Sequence, residues 1–204
     1  PGGAVGDTGI GGIQHFEPTT KRSLRDPLCI TECVMLLCDD VVIFDHVFQT
    51  VYCVSHVYVA SEHDDIDALY AACVARVEAL VRTISQAATP LPAQPPIDAT
   101  PRAPQSNVGQ EGYERFVPQL RQHILHGEIF QAVPSQRLSY PTQLHPFNCY
   151  RHLRRINPSP YMFYVDCGDA QLVGASPETL CQIVQGKVAG CGSDRGGGRG
   201  GGGG

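Results

Sequence analysis

Apolar positions in the first third of the chain follow the pattern of a β-hairpin. Residues 41–44 are continuously apolar and largely β-branched, and residues 51–59 are rich in Val and Tyr. Residues 45–50 separate the two runs. Short β-branched runs on either side of a connecting segment favour paired strands. The pattern predicts a hairpin with a longer loop.

Helical periodicity comes next. Ser61 precedes Glu62, Asp64 and Asp65, and acidic residues in a first turn satisfy free amides and the positive end of the helix dipole. Apolar residues then recur every three or four positions, which places them on one face of a helix. They are Ile66, Leu69, Tyr70, Cys73, Val74, Val77, Leu80, Val81 and Ile84. We predict a helix that packs this face on a sheet.

Proline and glycine divide the chain. Residues 90–104 read PLPAQPPIDATPRAP, and each proline lacks an amide donor and restricts the residue before it. After Gly190 the sequence CGSDRGGGRGGGGG has no large apolar residue and a high backbone entropy. The predicted organisation is therefore a region at 1–89, a linker at 90–108, a second region at 109–190 and a disordered tail at 191–204.

The second region begins with another helical pattern. Its apolar face and C-terminal stop are Tyr113, Phe116, Val117, Leu120, Ile124 and Gly127. Pro118 falls within the pattern, where it is harmless in a first turn and costs about 3 kcal/mol or a kink if it lies deeper.

The remaining pattern mixes strands with one helix. Residues 128–139 predict a strand, and residues 146–155 a short helix that begins with proline. Residues 161–165 and 171–173 predict paired strands around a turn at 167–169. Helices mixed with antiparallel strands indicate an α+β fold.

Charge and hydropathy exclude two classes of partner. The formal charge of −5 gives no basic surface for nucleic acid. No apolar stretch reaches the roughly 18–20 residues that span a bilayer, and the N-terminus has no signal-peptide pattern. We expect a cytoplasmic protein that binds neither nucleic acid nor membrane.

The nine cysteines are an odd number in a chain too long to require disulfides. We interpret them as reduced thiols buried as packing residues. Cys29, Cys33 and Cys38 form a close group, but their spacing matches no zinc pattern. We expect no metal site there.

Gln131 is the first candidate for chemistry. On a strand it shares parity with Ile129 and Val133, so its amide is expected on an apolar face. A buried amide must be satisfied, either by another strand or by a ligand. The spacing leaves both interpretations open.

Two further candidates follow. Residues 157–160 form a proline-rich turn that presents its edges at little ordering cost, which suits either an ordinary loop or a small-molecule site. Glu178 follows Ser176 and Pro177, and small residues before it allow a ligand to approach. Its carboxylate is either a capping group or, with its pKa raised in a pocket, a general acid.

Together these motifs resemble a known family. HGEIFQAVPSQR, NPSPYMFY and LVGASPE, in this order and at this separation, resemble the chorismate-utilising enzymes, and NPSPYM is similar to anthranilate synthase component I. Upstream, IQHFEPTTKRSLRDPL and LLCDDVVIFDHVFQTVYCVSHV resemble the N-terminal region of the same large subunits. The resemblance covers 5–188, with 109–190 as the first part of the chorismate-binding domain.

The resemblance implies two packed antiparallel sheets flanked by helices, of which this chain is a truncated part. It also implies that a glutamine amidotransferase subunit delivers ammonia to chorismate. Glu178 matches the glutamate that protonates the departing hydroxyl, and Gln131 matches a position where relatives that add water carry a lysine base. The residues that match the site of the feedback inhibitor L-tryptophan are Asn157, Pro158, Pro160, Tyr161 and Met162.

The sequence departs from the family at both ends. GGAVGDTGIGG replaces a Tyr-rich strand near the N-terminus. After Val188 the family continues into Mg²⁺-binding glutamates, a catalytic histidine and the arginine and glycines that hold chorismate, none of which follows here. Mg²⁺ is thus the cofactor expected from the family, and its ligands are missing from this chain.

Three functional hypotheses follow. The first is a fragment of the anthranilate synthase large subunit, a lyase of tryptophan biosynthesis, inactive by itself because the metal site and substrate clamps are absent. The second is an aminodeoxychorismate or isochorismate synthase, against which Gln131 and the NPSPYM turn argue. The third is a non-catalytic tryptophan-binding or subunit-interaction module, for which we expect poor solubility because half of a two-sheet core exposes apolar area.

Overall fold

The computed structural model describes residues 3–23, 25–86, 90–96, 100 and 102–190. The tail predicted at 191–204 lies outside this description. The helices are α1 Ile66–Ser85, α2 Gly109–Leu125 and α3 Pro146–Ile156, and 3-10 turns cover Ile10–His15 and Pro18–Thr20. The strands are β1 Gly3–Thr8, β2 Cys33–Cys38, β3 Asp40–Asp45, β4 Thr50–Ser55, β5 Gln105–Ser106, β6 Leu138–Ser139, β7 Tyr161–Asp166, β8 Gln171–Ser176, β9 Cys181–Val184 and β10 Lys187–Gly190.

All strand pairing in the described part of the chain is antiparallel. The strands form five two-stranded ladders, β1–β2, β3–β4, β5–β6, β7–β8 and β9–β10. The predicted mixture of helices and antiparallel strands is confirmed. Within the described ranges no helix is both long and apolar enough to cross a membrane.

The chain divides into two compact units. The first unit combines Pro1–Leu91 with Tyr150–Gly204, and the second is Pro92–Cys149. The division predicted from the sequence, with a linker at 90–108, stays a prediction.

The first strand forms although glycine, aspartate and threonine replace aromatic residues there. β1 pairs with β2 along its whole length, and Gly6 stands opposite Met35. A β carbon added at Gly6 would lie 1.8 Å from the carbonyl oxygen of Val34. Glycine is therefore required for the close approach of these two strands.

The predicted hairpin and helix of the first unit are both confirmed. β3 and β4 pair from Asp40 opposite Ser55 to Asp45 opposite Thr50, so β4 ends at Ser55, short of the expected residue 59. α1 contacts both strands. The residues of α1 that lose solvent on this side are Leu69, Cys73, Arg76, Val77 and Leu80.

The N-terminal cap of α1 is Asp65, whose side chain accepts a hydrogen bond from the Ala68 amide at 3.1 Å. Asp64 instead accepts from the amides of Ala60 and Ser61, and so closes the preceding turn. Side-chain caps of this kind satisfy amides that have no partner inside the helix.

α2 confirms the second predicted helix and places Pro118 deep in its interior. Gly127, at φ +75°, ends the helix. Its amide donates to the Ile124 carbonyl and the Glu128 amide to the His123 carbonyl, both at 3.0 Å. This is the Schellman arrangement, which needs a residue that tolerates a positive φ.

The prediction of a strand at 128–139 is wrong. Only Leu138–Ser139 is paired, with β5, and residues 128–137 have no regular structure. A strand requires a continuous series of backbone partners on a neighbouring strand, whereas this segment makes separate contacts, such as the bond from the Asn107 amide to the Arg137 carbonyl at 3.0 Å. Pro134 also removes one amide donor from it.

Few apolar side chains are buried. Among the described residues, Cys73 at 6% exposure and Val165 at 9% are the buried hydrophobic ones. The prediction that the cysteines are buried is wrong for Cys29, Cys33 and Cys181, which are exposed. The eight described cysteines are free thiols, and ladders of two strands leave many of their faces uncovered.

Candidate active site

The proline-rich turn at 157–160 joins α3 to β7. The Asn157 amide donates to the Leu153 carbonyl at 2.9 Å and closes the last helical turn. Pro158 then disfavours helical backbone in the residue before it, and Pro160 does the same to Ser159. The helix consequently ends at Ile156 and the strand begins at Tyr161.

This turn lies beside the segment that carries Glu178. Tyr161 stands opposite Ser176 in the β7–β8 ladder. The Ser159 hydroxyl donates to the Ser176 carbonyl at 2.8 Å, and the Thr179 hydroxyl donates to the Tyr161 hydroxyl at 2.7 Å. We call residues 157–162 with residues 176–179 the hairpin base. Two motifs that are separate in sequence thus meet at one end of one hairpin.

Glu178 lies between the two anchored residues of its segment. Its side chain is exposed, and its carboxylate has no hydrogen-bond or ion-pair partner among the described residues. Of the predicted helix or turn start, no helix forms at this point, because residues 177–178 form a bend and β9 follows at Cys181. The carboxylate is open to a bound molecule.

α3 braces one face of β7. The rings of Tyr150 and Tyr164 lie 6.4 Å apart at an interplanar angle of 59°, and the Arg154 guanidinium lies 5.9 Å from the centre of the Tyr150 ring. Met162, two residues before Tyr164, shares this face and is half-buried.

The other face of β7 is aromatic and open. Tyr161 is 52% exposed and Phe163 is 43% exposed. The Phe163 ring lies over Gly174 on the neighbouring strand, where a β carbon would meet it at 2.1 Å. Open aromatic surface of this kind can hold a small, partly unsaturated ring.

Gln131 belongs to the second unit and lies in the irregular segment between α2 and β6. Its side chain is exposed, and among the described residues its amide has no partner. The prediction of a strand amide on an apolar face is therefore wrong. The structure brings Glu178 together with the residues of the turn. Gln131 belongs to the other unit.

Over the described ranges, no three His, Cys, Asp or Glu side chains cluster as the ligands of a metal ion would. The Mg²⁺ ion stays an expectation from the family resemblance.

The sequence patterns did not predict a polar cluster that lies between α1 and the β3–β4 hairpin. The Arg76 Nε lies 3.2 Å from Asp40 and 3.0 Å from the Ser55 hydroxyl. Its Nη2 lies 2.9 Å from the Cys73 sulfur and 3.2 Å from the His56 carbonyl. The sequence did contain an indication of this cluster, because Arg76 is a charged residue within an otherwise apolar helical face.

In this cluster Asp40 and Arg76 each favour the charged form of the other. The hydrogen bond from the Ser55 hydroxyl, at 2.6 Å, and the Arg76 guanidinium lower the pKa of the Asp40 carboxyl, against a smaller opposing effect of desolvation. The bond to Asp40 raises the pKa of Arg76. Arg76 therefore stays charged and ties α1 to both strands of the hairpin.

Comparison with known proteins establishes the class to which this fold and hairpin base belong. Residues 5–189 match the family described as chorismate binding enzyme. The chain belongs to this family of chorismate binding enzymes.

Within the family the chain is similar to anthranilate synthase component 1. It is 46% identical over 187 residues to a Schizosaccharomyces pombe protein named "Probable anthranilate synthase component 1", covering 92% of this chain and 38% of that protein. It is 44% identical over 183 residues to anthranilate synthase component 1 of Saccharomyces cerevisiae, covering 89% of this chain and 36% of the yeast protein.

A solved structure agrees with these relatives. Anthranilate synthase component I from Streptococcus pneumoniae TIGR4 superposes with a TM-score of 0.70 at 27% identity, covering 92% of this chain and 41% of that one. The chain thus spans about two fifths of the length of the relatives that it matches.

Proposed function

We propose that this chain supplies the chorismate-facing acid and the effector turn of anthranilate synthase component 1. That lyase converts chorismate and ammonia to anthranilate and pyruvate in tryptophan biosynthesis. The observation that carries the proposal is the hairpin base, in which the free carboxylate of Glu178 lies between residues anchored to Ser159 and Tyr161.

Glu178 acts as the general acid. Ammonia adds at C2 of chorismate while the hydroxyl at C4 departs, and hydroxide is a poor leaving group unless it is protonated as it leaves. An exposed carboxylic acid at the same end of the hairpin as the exposed Tyr161 ring can supply that proton to a bound substrate. Elimination of pyruvate then makes the ring aromatic.

Gln131 acts on the nucleophile side. Ammonia is already a nucleophile, so an amide that orients it is sufficient, whereas water requires a base to remove its proton. The free, exposed amide of Gln131 is consistent with this role. We assign the delivery of ammonia to a glutamine amidotransferase subunit, and we place both subunits in the cytoplasm.

The turn is the site of feedback inhibition by L-tryptophan. Its residues are Asn157, Pro158, Pro160, Tyr161 and Met162. A ligand that orders this turn is coupled to Glu178 through the two hydrogen bonds of the hairpin base. The Mg²⁺ of the reaction is held by residues outside this chain, so the isolated chain makes no anthranilate.

A chimera tests the proposal. Residues 5–188 of this chain replace the matched region of the Schizosaccharomyces pombe relative, and the purified protein is given chorismate, an ammonium salt and Mg²⁺. We expect anthranilate, detected by its fluorescence. Glu178→Gln should lower kcat by about 10²- to 10⁴-fold, the usual contribution of a general acid. The isolated chain serves as the inactive control.

Two results contradict the proposal. A folded chimera that releases isochorismate or aminodeoxychorismate assigns the chain to a sibling enzyme. Full turnover by the Glu178→Gln chimera removes Glu178 from the chemistry. Calorimetry with L-tryptophan on the chimera and on its Tyr161→Ala variant tests the effector site separately, and equal affinities would place the effector elsewhere.

A further inference from the structure

Arg137 carries a buried polar atom that has no partner in the described part of the chain. Its Nε is buried and makes no hydrogen bond there, and its guanidinium forms no ion pair with the described residues. A guanidinium is always charged in a protein, and a buried polar group without a partner is destabilised because it loses its hydrogen bonds to water. Arg121 in α2 also has no partner among the described residues, but it is exposed, so water hydrates its charge.

The backbone at Arg137 is held by its neighbours. The Arg137 amide donates to the Asn107 side-chain oxygen at 2.8 Å, and the Asn107 amide donates to the Arg137 carbonyl at 3.0 Å. The Ser106 hydroxyl donates to the Gln136 side-chain oxygen at 3.0 Å. Leu138 pairs with Ser106 in the β5–β6 ladder. The guanidinium therefore extends from a fixed point, and a ligand that binds it does not have to order this part of the backbone.

The segment before Arg137 forms one wall of a groove on α2. The groove has a volume of about 370 Å³, and its lining consists of residues 132–135 with Phe116, Gln119, Leu120 and His123 of α2. The Tyr113 hydroxyl donates to the Pro134 carbonyl at 3.5 Å and attaches this segment to the helix. Sites for small molecules begin at about 300 Å³ and combine an apolar lining with a few polar groups. The groove therefore has the size and lining of a small-molecule site.

Gln131 and Arg137 flank this wall in the sequence. Arg137 follows the last wall residue, Ser135, by two positions, which span at most about 7 Å of backbone. An arginine side chain can reach over that distance. The groove thus has an amide at one end of its wall and an unpaired cation at the other.

We propose that the groove and Arg137 together form a binding site for a small cyclic carboxylate. The apolar lining takes the ring. The planar guanidinium takes the carboxylate, because its forked donors match two carboxylate oxygens. The identity of the acid rests on the function proposed above, which makes chorismate, a ring that carries a carboxylate, the expected ligand.

The first test uses benzoate and benzamide as probes on this chain. The two molecules share a ring and differ little in size, but only benzoate carries a negative charge. Ligand-detected NMR titration measures both Kd values at neutral pH. We expect benzoate to bind at least tenfold more tightly, since a hydrogen bond to a charged partner contributes that much or more.

Matched variants assign the preference for benzoate to one side chain. Arg137→Met keeps an apolar stem and removes the guanidinium, so we expect the preference to disappear while the Kd of benzamide stays the same. Arg137→Lys keeps the charge without the fork and should retain part of the preference. The control Arg121→Met removes the same charge from an exposed position of the same unit and should retain all of it.

Stability without ligand separates a binding role from a structural one. Arg137→Met removes a buried donor that has no partner among the described residues. We therefore expect the midpoint of urea unfolding to rise by about 0.5 M. Arg121→Met should leave the midpoint unchanged. An arginine that served the fold would give the opposite shift, because its removal would leave a partner unsatisfied.

Kinetics of the chimera identify the natural acid. In the Arg137→Met chimera we expect KM for chorismate to rise at least tenfold with kcat nearly unchanged, the pattern of lost ground-state binding. Inhibition by L-tryptophan should keep its inhibition constant. A change in that constant with an unchanged KM would keep the carboxylate site but overturn chorismate as its ligand.

The outcomes separate this inference from the proposed function. Equal Kd values for benzoate and benzamide, a preference that survives Arg137→Met, or a lower urea midpoint for Arg137→Met would each overturn the site. A chimera that makes no anthranilate, while this chain still prefers benzoate through Arg137, leaves the site in place and counts against the proposed function alone.

Discussion

The Phe163 ring covers Gly174 on the neighbouring strand so closely that a β carbon on Gly174 would lie 2.1 Å from Cζ of the ring. The two residues are direct cross-strand partners in the β7–β8 ladder. This pair therefore fixes the ring on the open face that leads to the hairpin base.

Gly174→Ala displaces this ring. In the chimera we expect a loss of about 1–3 kcal/mol in the free energy of unfolding, the usual cost of overpacking, measured by urea denaturation. The control is Gly112→Ala in α2, where the new β carbon meets only the Val108 β carbon at 3.4 Å and should stabilise by about 0.5–1 kcal/mol. Equal effects of the two changes would show that the ring moves without cost.

Asp40 gives the chimera a pH-dependent stability. Its pKa in the folded state is lowered from 3.8, first by the Ser55 hydroxyl and then by Arg76. The charged form thus adds stability that is fully present above pH 3.8 and is lost as the pH falls through the lower, folded-state value. Asp40→Asn should flatten the acid limb of the stability curve, as followed by urea denaturation from about pH 2 to pH 5.

The control for Asp40 is Glu62→Gln, which removes an exposed carboxylate that has no partner among the described residues. Its acid limb should match that of the unmodified chimera. An Asp40→Asn curve that is parallel to the unmodified one at every pH would contradict the linkage.

Pro118→Ala restores an amide donor to the interior of α2. Proline in a helix interior costs about 3 kcal/mol relative to alanine, and Pro118 lies in the middle of Gly109–Leu125. We expect the unfolding free energy of the chimera to rise by about 1–3 kcal/mol. A fall in stability would mean that the proline ring at position 118 is needed for packing.

The Thr179–Tyr161 hydrogen bond positions Glu178. Thr179→Val keeps the shape of the side chain and removes the donor, and Tyr161→Phe removes the acceptor. A hydrogen bond of about 0.5–1.5 kcal/mol corresponds to a decrease of roughly twofold to tenfold in kcat. The double variant should lose no more than either single variant. Additive losses would show that the two residues act independently of each other.

Local patterns predicted local structure well. The β3–β4 hairpin, α1, α2 and α3 each follow from apolar spacing and end signals within their own segments. Gly127 stops α2 because a Schellman ending requires its positive φ. None of these elements depends on distant residues for its type.

Features that depend on distant residues were predicted less well. A strand at 128–139 requires a partner that the apolar pattern cannot show, and only residues 138–139 find one. The exposure of Cys29, Cys33 and Cys181 depends on what covers their segments, which composition does not reveal.

The candidate site shows the same division. The turn and Glu178 meet because one hairpin joins them, and that hairpin was predictable from residues 161–173. The exposure of Glu178 was not, since it depends on the bend at 177–178. The Arg76 cluster required knowledge that α1 lies on the hairpin, although Arg76 itself stood out on the apolar face.

The ion pair between Arg76 and Asp40 spans only 36 positions, and β3, β4 and α1 follow one another without interruption. Contacts between residues this close in sequence form early, because the entropy of closing short loops is small. At synthesis rates of roughly 5–20 residues per second, this subassembly can be complete on the ribosome several seconds before the rest of the chain emerges. The nascent polypeptide thus displays a folded helix with exposed apolar residues. Chaperones are expected to bind such a surface during translation.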